Sequence, residues 1–291
     1  MGGRRWTPLT FGLLGAMTLL AILAGWQVWA DIFGRGLTRD EDSHVLLAVP
    51  VAIWLVWQRR RRLRTWRPAP SFVGPMIVAA GVAFEFVGFA QAFDIFRHFG
   101  AILLVVGAIV TVIGTGPIRD MKPALIALLF VMPVPGRFRQ MIAIPLQEIS
   151  AKVTEYGLGI FGMPIARTGN LLIINGHEVA IAEACNGMRM VSALALIAFT
   201  FAFSVPMRNS LRVLILALSP AIALLVNIIR LVPTTLMYGY ADTETADLFH
   251  DLSGWAVLLV ALGILWGFLG LLRWLEVPIT PYPVARQNSS P

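Results

Sequence analysis

Apolar runs close to twenty residues long recur along almost the whole chain. A helix needs about 20 apolar residues to cross the hydrocarbon core of a bilayer. Backbone polar groups inside that core must be satisfied within the crossing segment itself. The fold class that follows is an all-α polytopic membrane protein. Composition agrees: of 291 residues, 57% are hydrophobic and 13% charged, where soluble domains carry about 25% charged residues. About eight transmembrane helices are predicted, near 9–30, 43–58, 72–92, 99–116, 122–135, 184–205, 212–233 and 254–273. The second and fifth are short. Pro133 and Pro135 interrupt the fifth, which reads as a partial or broken helix. The first run has no small-residue cleavage chemistry and is read as a retained span.

The net charge of +7 is a statement about topology. Arginines cluster in short connectors: Arg4 and Arg5, then Arg59 to Arg62 with Arg64 and Arg67, then Arg119 with Lys122, Arg208 with Arg212, and Arg273. With eight spans these all fall on one side, which the positive-inside bias makes cytoplasmic. Both termini are then cytoplasmic and the membrane is the cell's inner one. The opposite connectors are acidic, with Asp31, Asp40, Glu41 and Asp42 in one and Asp242, Glu244, Asp247 and Asp251 in another. Arg137 and Arg139 are the exception. The basic residues form no groove-like domain, so nucleic acid is not an expected partner.

The longest connector, 136–183, has two parts. From Phe138 to Phe161, apolar residues recur at helical spacing (Ile142, Leu146, Ile149, Val153), the pattern of an amphipathic helix lying in the interface. From Ile165 to Ile181, two β-prone runs flank Asn175-Gly176, a hairpin signal. A small extracytoplasmic β-hairpin is expected to feed the sixth span. Residues 1–275 are read as one transmembrane domain and 276–291 as a disordered tail. No internal repeat is read.

The chain has one cysteine, Cys185. That excludes an intramolecular disulfide and a cysteine-rich metal site. No paired-histidine metal spacing occurs either, so neither metal nor cofactor is expected. A lone cysteine in a membrane protein is most often a packing residue. Cys185, however, sits at the start of the sixth span, where free backbone N–H groups favour an anion. Helix N-termini and nearby cations favour the thiolate. Arg189 is four residues on, hence on the same helix face, and Asn186 and Gly187 suit an exposed turn. Arg230 lies inside the apolar run Leu211–Leu236. A charge there either snorkels to the headgroups or serves a cavity. Asn227 is one turn earlier and placed to orient the guanidinium, and Pro233 is expected to end or kink the helix. His250, just before the last span, falls on the same side as Cys185 and Arg230. Histidine is the usual general acid/base for a thiol. His44, His98 and His177 are alternatives for the base, and Asp251 is not read as a third member.

Three motifs carry a family resemblance. Ala182-Glu183-Ala184-Cys185-Asn186-Gly187-Met188-Arg189, Asn227-Ile228-Ile229-Arg230 and Phe249-His250-Asp251-Leu252-Ser253-Gly254-Trp255 occur in order at span edges. Together they resemble the motifs of the exosortase/archaeosortase family of membrane cysteine transpeptidases, in which Ser usually stands at the place of Asn186. Softer matches are Ser43-His44, Pro145-Leu146-Gln147 and Arg167-Thr168-Gly169-Asn170. The resemblance implies Cys185 as nucleophile with Arg230 and His250 as its catalytic partners. Arg189, Asn186, Asn227 and Glu183 are the supporting residues. It implies substrate proteins that carry a C-terminal Pro-Glu-Pro-type motif, a transmembrane helix and a basic tail. Cleavage is expected at the outer face of the membrane, with transfer to an unknown acceptor, lipid or polysaccharide. A C-terminal domain that some exosortases carry is not expected. Two rival readings stay open: a polytopic transporter, and a membrane glycosyl- or acyltransferase linked to exopolysaccharide assembly. The first does not require Cys185 and predicts repeat-related broken helices. The second draws on the acidic residues at 40–42 and 242–251.

Overall fold

The computed structural model describes residues 6–63, 65–181 and 187–274. The chain divides after Gln140 into two compact units. In the first, helix α1 (Pro8–Ala24) is capped by Thr7, whose hydroxyl accepts from the Thr10 N–H. It stops at Gly25, and α2 (Trp26–Thr38) leaves at 76°. The span expected at 9–30 is therefore bent in its middle. Glycine suits the corner because a Cβ on Gly25 would lie 3.3 Å from Glu85 Oε1. Val28, Trp29, Ile32 and Gly36 turn one face of α2 inward.

Helix α3 (His44–Gln58) ends in arginines that use its last turn: Arg59 Nη1 donates to the Leu55 carbonyl at 3.0 Å, and Arg60 stacks 4.1 Å above Trp57. Cations at a helix C-terminus complement its dipole. The short helices α4 (Arg60–Leu63), α7 (Gly116–Asp120) and α8 (Lys122–Leu129) are connectors. The expected fifth span at 122–135 is reduced to α8. Its eight residues reach about 12 Å, well short of a ~30 Å core.

Helices α5 (Val73–Ala90) and α6 (Asp94–Ile113) form a tight antiparallel hairpin. Its cause is glycine at seven-residue spacing, at 74, 81 and 88 in α5 and at 100 and 107 in α6. A Cβ on Gly81 would lie 3.0 Å from the Gly100 carbonyl oxygen, and one on Gly107 only 2.7 Å from Val78 N. Small residues let apolar helices pack backbone to backbone where lipid supplies no hydrophobic drive.

In the second unit, α9 (Gly136–Ile160) continues past the boundary into a three-stranded antiparallel sheet, β1 (Ile165–Thr168), β2 (Leu171–Ile174) and β3 (His177–Ala180). The expected hairpin is present as β2 and β3. Asn175 (φ 51°) and Gly176 (φ 78°) both take the left-handed conformation that a two-residue hairpin turn needs. A second two-residue turn at Gly169 (φ 61°) and Asn170 adds β1. Helices α10 (Gly187–Ser204), α11 (Asn209–Tyr240) and α12 (Thr243–Trp274) follow. Asp242 starts α12 by accepting from the Thr245 N–H and hydroxyl, each at 2.9 Å, which holds its carboxyl below the ordinary value.

Among the described residues, four helices are long and apolar enough to cross a membrane: Val73–Ala90, Asp94–Ile113, Asn209–Tyr240 and Thr243–Leu272. The bent pair α1 and α2 makes a fifth. His44–Gln58 and Met190–Ser204 are apolar but shorter. Of the eight expected spans, the described residues thus give four full-length ones and a bent fifth; the expected second span is the short α3, the fifth is the short α8, and the sixth begins outside the described residues.

Two cores hold the second unit. One joins Met190, Leu194 and Ala198 of α10 to Val226 of α11 and Val257 and Ala261 of α12. The other joins Ala151 and Leu158 of α9 to Leu172, Ile174 and Val179 of the sheet, Ile181 and Leu231 of α11. Asn175 Nδ2 donates to the Gly239 carbonyl at 3.0 Å, and a Cβ on Gly239 would lie 2.7 Å from Ile174 Cγ2. The sheet thereby rests on the end of α11.

Two outcomes are expected. Gly107→Val separates α5 from α6 and costs about 1–3 kcal/mol or more, seen as a lower unfolding temperature in detergent. Gly239→Val lifts the sheet from α11, and protease sensitivity rises between Gly162 and Ile181 while α5 and α6 stay protected.

Candidate active site

Arg230 is 6% exposed although it sits in an apolar helix. The neighbouring turns of α11 are also polar: Asn227, Thr234 and Thr235 are buried. The Thr234 hydroxyl donates back to the Arg230 carbonyl at 2.9 Å, so it is satisfied within the helix. Asn227 Oδ1 and Thr235 Oγ1 are buried with no hydrogen-bond partner among the described residues. Pro233 does not end α11, which runs on to Tyr240. Of the two outcomes expected there, an end or a kink, the end is corrected: α11 continues for seven residues beyond the proline and carries the seat of the sheet.

Arg230 Nη1 points to the backbone carbonyl of His250, 3.5 Å away. His250 lies in the second turn of α12, not before it as expected, because α12 starts at Thr243. The Ser253 hydroxyl donates to the same carbonyl at 3.0 Å. Tyr238 donates to Asp247 Oδ1 at 2.8 Å and ties the end of α11 to the start of α12. Of the three residues read as catalytic, Arg230 and His250 are thus brought together through the His250 main chain. Asp251, set aside in the sequence reading, places Oδ1 3.5 Å from His250 Nδ1. That separation equals the Arg230–His250 one, and both stand at the long limit of a hydrogen bond. Asp251 is 80% exposed, where ion pairs contribute little.

Cys185, Asn186 and Glu183 lie outside the described residues, and Arg189 is described only as a backbone position in the first turn of α10. The described chain on both sides of them is anchored. Ile181 is fully buried in the core that contains Leu231, the residue after Arg230. Its N–H donates to the Asn170 carbonyl at 3.0 Å. Met190 is buried in the core that contains Val226 and Val257.

Two of the three softer motifs, those at 145–147 and 167–170, meet across the face between α9 and β1. Asn170 Nδ2 donates to Gln147 Oε1 at 3.1 Å, and Arg167 Nε donates to Glu155 Oε2 at 2.7 Å. Arg167 Nη1 also donates to the Gly169 carbonyl at 2.9 Å. Glu155 and the Tyr238–Asp247 pair were not singled out from sequence. Asp247 was read from sequence only as one charge of an acidic connector, and Glu155 and Tyr238 carry no signal beyond a polar group on a helix. A cleft of about 470 Å³ opens beside the Arg167–Glu155 pair, lined by Glu155, Tyr156, Gly159, Ile160, Met163 and Ile165.

His44 and His98 belong to the first unit. His44 Nδ1 lies 3.3 Å from the Glu41 carbonyl, and His98 Nε2 lies 2.9 Å from Asp31 Oδ2. Asp31 in turn pairs with Arg35, which reaches Asp94 at 2.6 Å. Arg139, an exception to the charge pattern, pairs with Glu41. His177 opens β3 and is exposed. Among the described residues, no group of three His, Cys, Asp or Glu side chains is placed to hold a metal ion.

Neither a curated protein nor a solved structure matches the chain. The family model for transmembrane exosortases matches residues 26–267, which takes in β1 to β3, α10, α11 and most of α12. With its apolar spans and its match over most of the sequence, the protein is a multi-pass membrane protein of the transmembrane exosortase family.

Proposed function

We propose that this exosortase is a cysteine transpeptidase that cleaves the C-terminal sorting signals of exported proteins and hands the new carboxyl end to an acceptor. The observation that carries the reading is the buried Arg230 guanidinium directed at the His250 main chain. A buried charge in an apolar helix is costly and marks a functional site. Family membership supplies the reaction class. The residues assigned to it are Cys185, Arg230 and His250.

In this mechanism His250 accepts the Cys185 thiol proton. The sulfur attacks the scissile carbonyl carbon, forming the S–C bond and leaving negative charge on the oxygen. Arg230, assisted by Arg189, stabilises that charge. The C–N bond then breaks, and His250 passes its proton to the departing amine. A thioester remains on Cys185. An acceptor nucleophile attacks it, the S–C bond breaks, and the thiol regains a proton. Asn227, buried one turn before Arg230 on α11, and Asn186 and Glu183, next to Cys185 in the sequence, are assigned supporting roles. The protein lies in the inner membrane with both termini cytoplasmic, and the reaction occurs at the outer face. The substrate's own transmembrane helix packs against the bundle, which holds its cleavage motif close to the thiol. The acceptor is a lipid or polysaccharide nucleophile.

Co-expression with a sorting-signal protein, read by the mass of the processed C-terminus, checks the assignment. Cys185→Ala abolishes processing at unchanged expression. Arg230→Lys, which keeps the charge but loses the planar fork, lowers it about 10²–10³-fold, as loss of an oxyanion donor does. His250→Gln lowers it about 10²–10⁴-fold. Equal processing by the Cys185→Ala form would remove the thiol from the reaction.

A further inference from the structure

Helix α9 presents two opposite faces. Ala151, Thr154 and Leu158 are buried against the second unit. Ile142, Ile149, Val153, Tyr156 and Ile160 form an exposed stripe, with Tyr156 at 73% and Ile160 at 83%. At 100° per residue these five cluster within about one sixth of the helix circumference, turned away from the buried face. Residues 146 to 160 alone would stretch over about 20 Å. The helix carries Glu148, Lys152 and Glu155 and is not among those apolar enough to cross a membrane. Glu148 and Lys152 pair at 2.9 Å on the flank of the stripe, half exposed.

A stripe this apolar on a helix this polar belongs at a bilayer surface. The protein already crosses the membrane, so lipid is a neighbour of its apolar surface in any case. In the same unit Ile229 (59% exposed) and Leu252 (63%), each within two residues of a proposed catalytic side chain, are exposed apolar residues of the two helices long and apolar enough to cross the membrane. The buried face of α9 connects to the reactive segment by a chain of contacts. Gln147 and Glu155 hold Asn170 and Arg167, the sheet follows, and β3 leads through Ile181 to Cys185.

We propose that α9 lies in the lipid headgroup layer through this stripe and, by clamping the sheet, fixes the depth at which Cys185 meets a substrate. Enzyme specificity then includes a ruler: the scissile bond must stand at one height above the substrate's own membrane helix. Lipid contact stands without the enzymatic reading, whereas the ruler rests on it.

Cys185→Ala leaves no cysteine in the chain, so single cysteines placed in that background take a nitroxide label at one site. Labels at 149, 156 and 160, in nanodiscs of mixed zwitterionic and anionic phospholipid, are compared with labels at Ala166 and Thr168, exposed on β1. The expected result is high collision with oxygen and low collision with a water-soluble nickel chelate at the stripe, and the reverse on β1. Stripe labels that meet the nickel chelate as freely as the β1 labels overturn lipid contact. So do labels shielded from both reagents, which would mean that protein covers the stripe. The ruler is read with Cys185 intact, on substrates lengthened by zero, two, four and six residues between motif and membrane helix. Processing is expected to fall about a hundredfold once the bond is misplaced. Equal processing at every length overturns the ruler. No processing at any length overturns the enzymatic reading instead, and the labels still decide lipid contact.

Discussion

Arg230 brings five N–H donors and a full charge into an apolar helix at 6% exposure. A guanidinium in such a place needs acceptors held in fixed positions, or the desolvation cost of several kcal/mol is not offset. Much of the second unit is arranged around that need. The first turns of α12 come close enough for the His250 carbonyl to face the guanidinium. Tyr238 and Asp247 fasten the two helices at their common end. Thr234 and the buried Asn227 extend the polar stretch along α11. Remove the arginine, and α11 and α12 would still pack through Val226, Val257 and Ala261 and stay fastened by Tyr238 and Asp247, but the His250 carbonyl would no longer face a cation.

The sheet is small, yet its position matters more than its size. Three strands of four residues cannot form a stable domain alone. They are held by two outside supports: α9 through side-chain hydrogen bonds and Ala151 and Leu158, and α11 through Leu231 and Gly239. The strand that precedes the cysteine segment is therefore fixed to the helix that carries the arginine. The first unit solves a different problem. Its α5–α6 hairpin gains van der Waals contact by bringing backbones together at glycines, the means open to helices in an apolar solvent.

Much of this was legible in the sequence. Apolar run length announced a membrane protein, and the Asn175-Gly176 pair announced the hairpin. Polar residues in apolar company picked out Asn227 and Arg230, because burial of such groups is too costly to be incidental. What escaped had weak local signals. The bend at Gly25 depends on packing, which hydropathy averages away, whereas Pro133 and Pro135 already mark the fifth run as short and partial. Pro233 reads as an end or a kink; it is not an end, since α11 carries it and runs on to Tyr240. The glycine spacing in α5 and α6 was present in the sequence, but it becomes meaningful only when two helices are known to face each other. β1 pairs through a two-residue turn at Gly169-Asn170, a weaker signal than Asn-Gly.

The most direct measurement is the intact mass of the purified, membrane-reconstituted protein after brief exposure to a sorting-signal peptide in the absence of acceptor. The account predicts a mass increase equal to the N-terminal product acid less one water, carried on the peptide that contains Cys185, labile to hydroxylamine as a thioester is, and absent from the Cys185→Ala form. Cleavage of the peptide with no adduct on Cys185, or an equal adduct on the Cys185→Ala form, would contradict it.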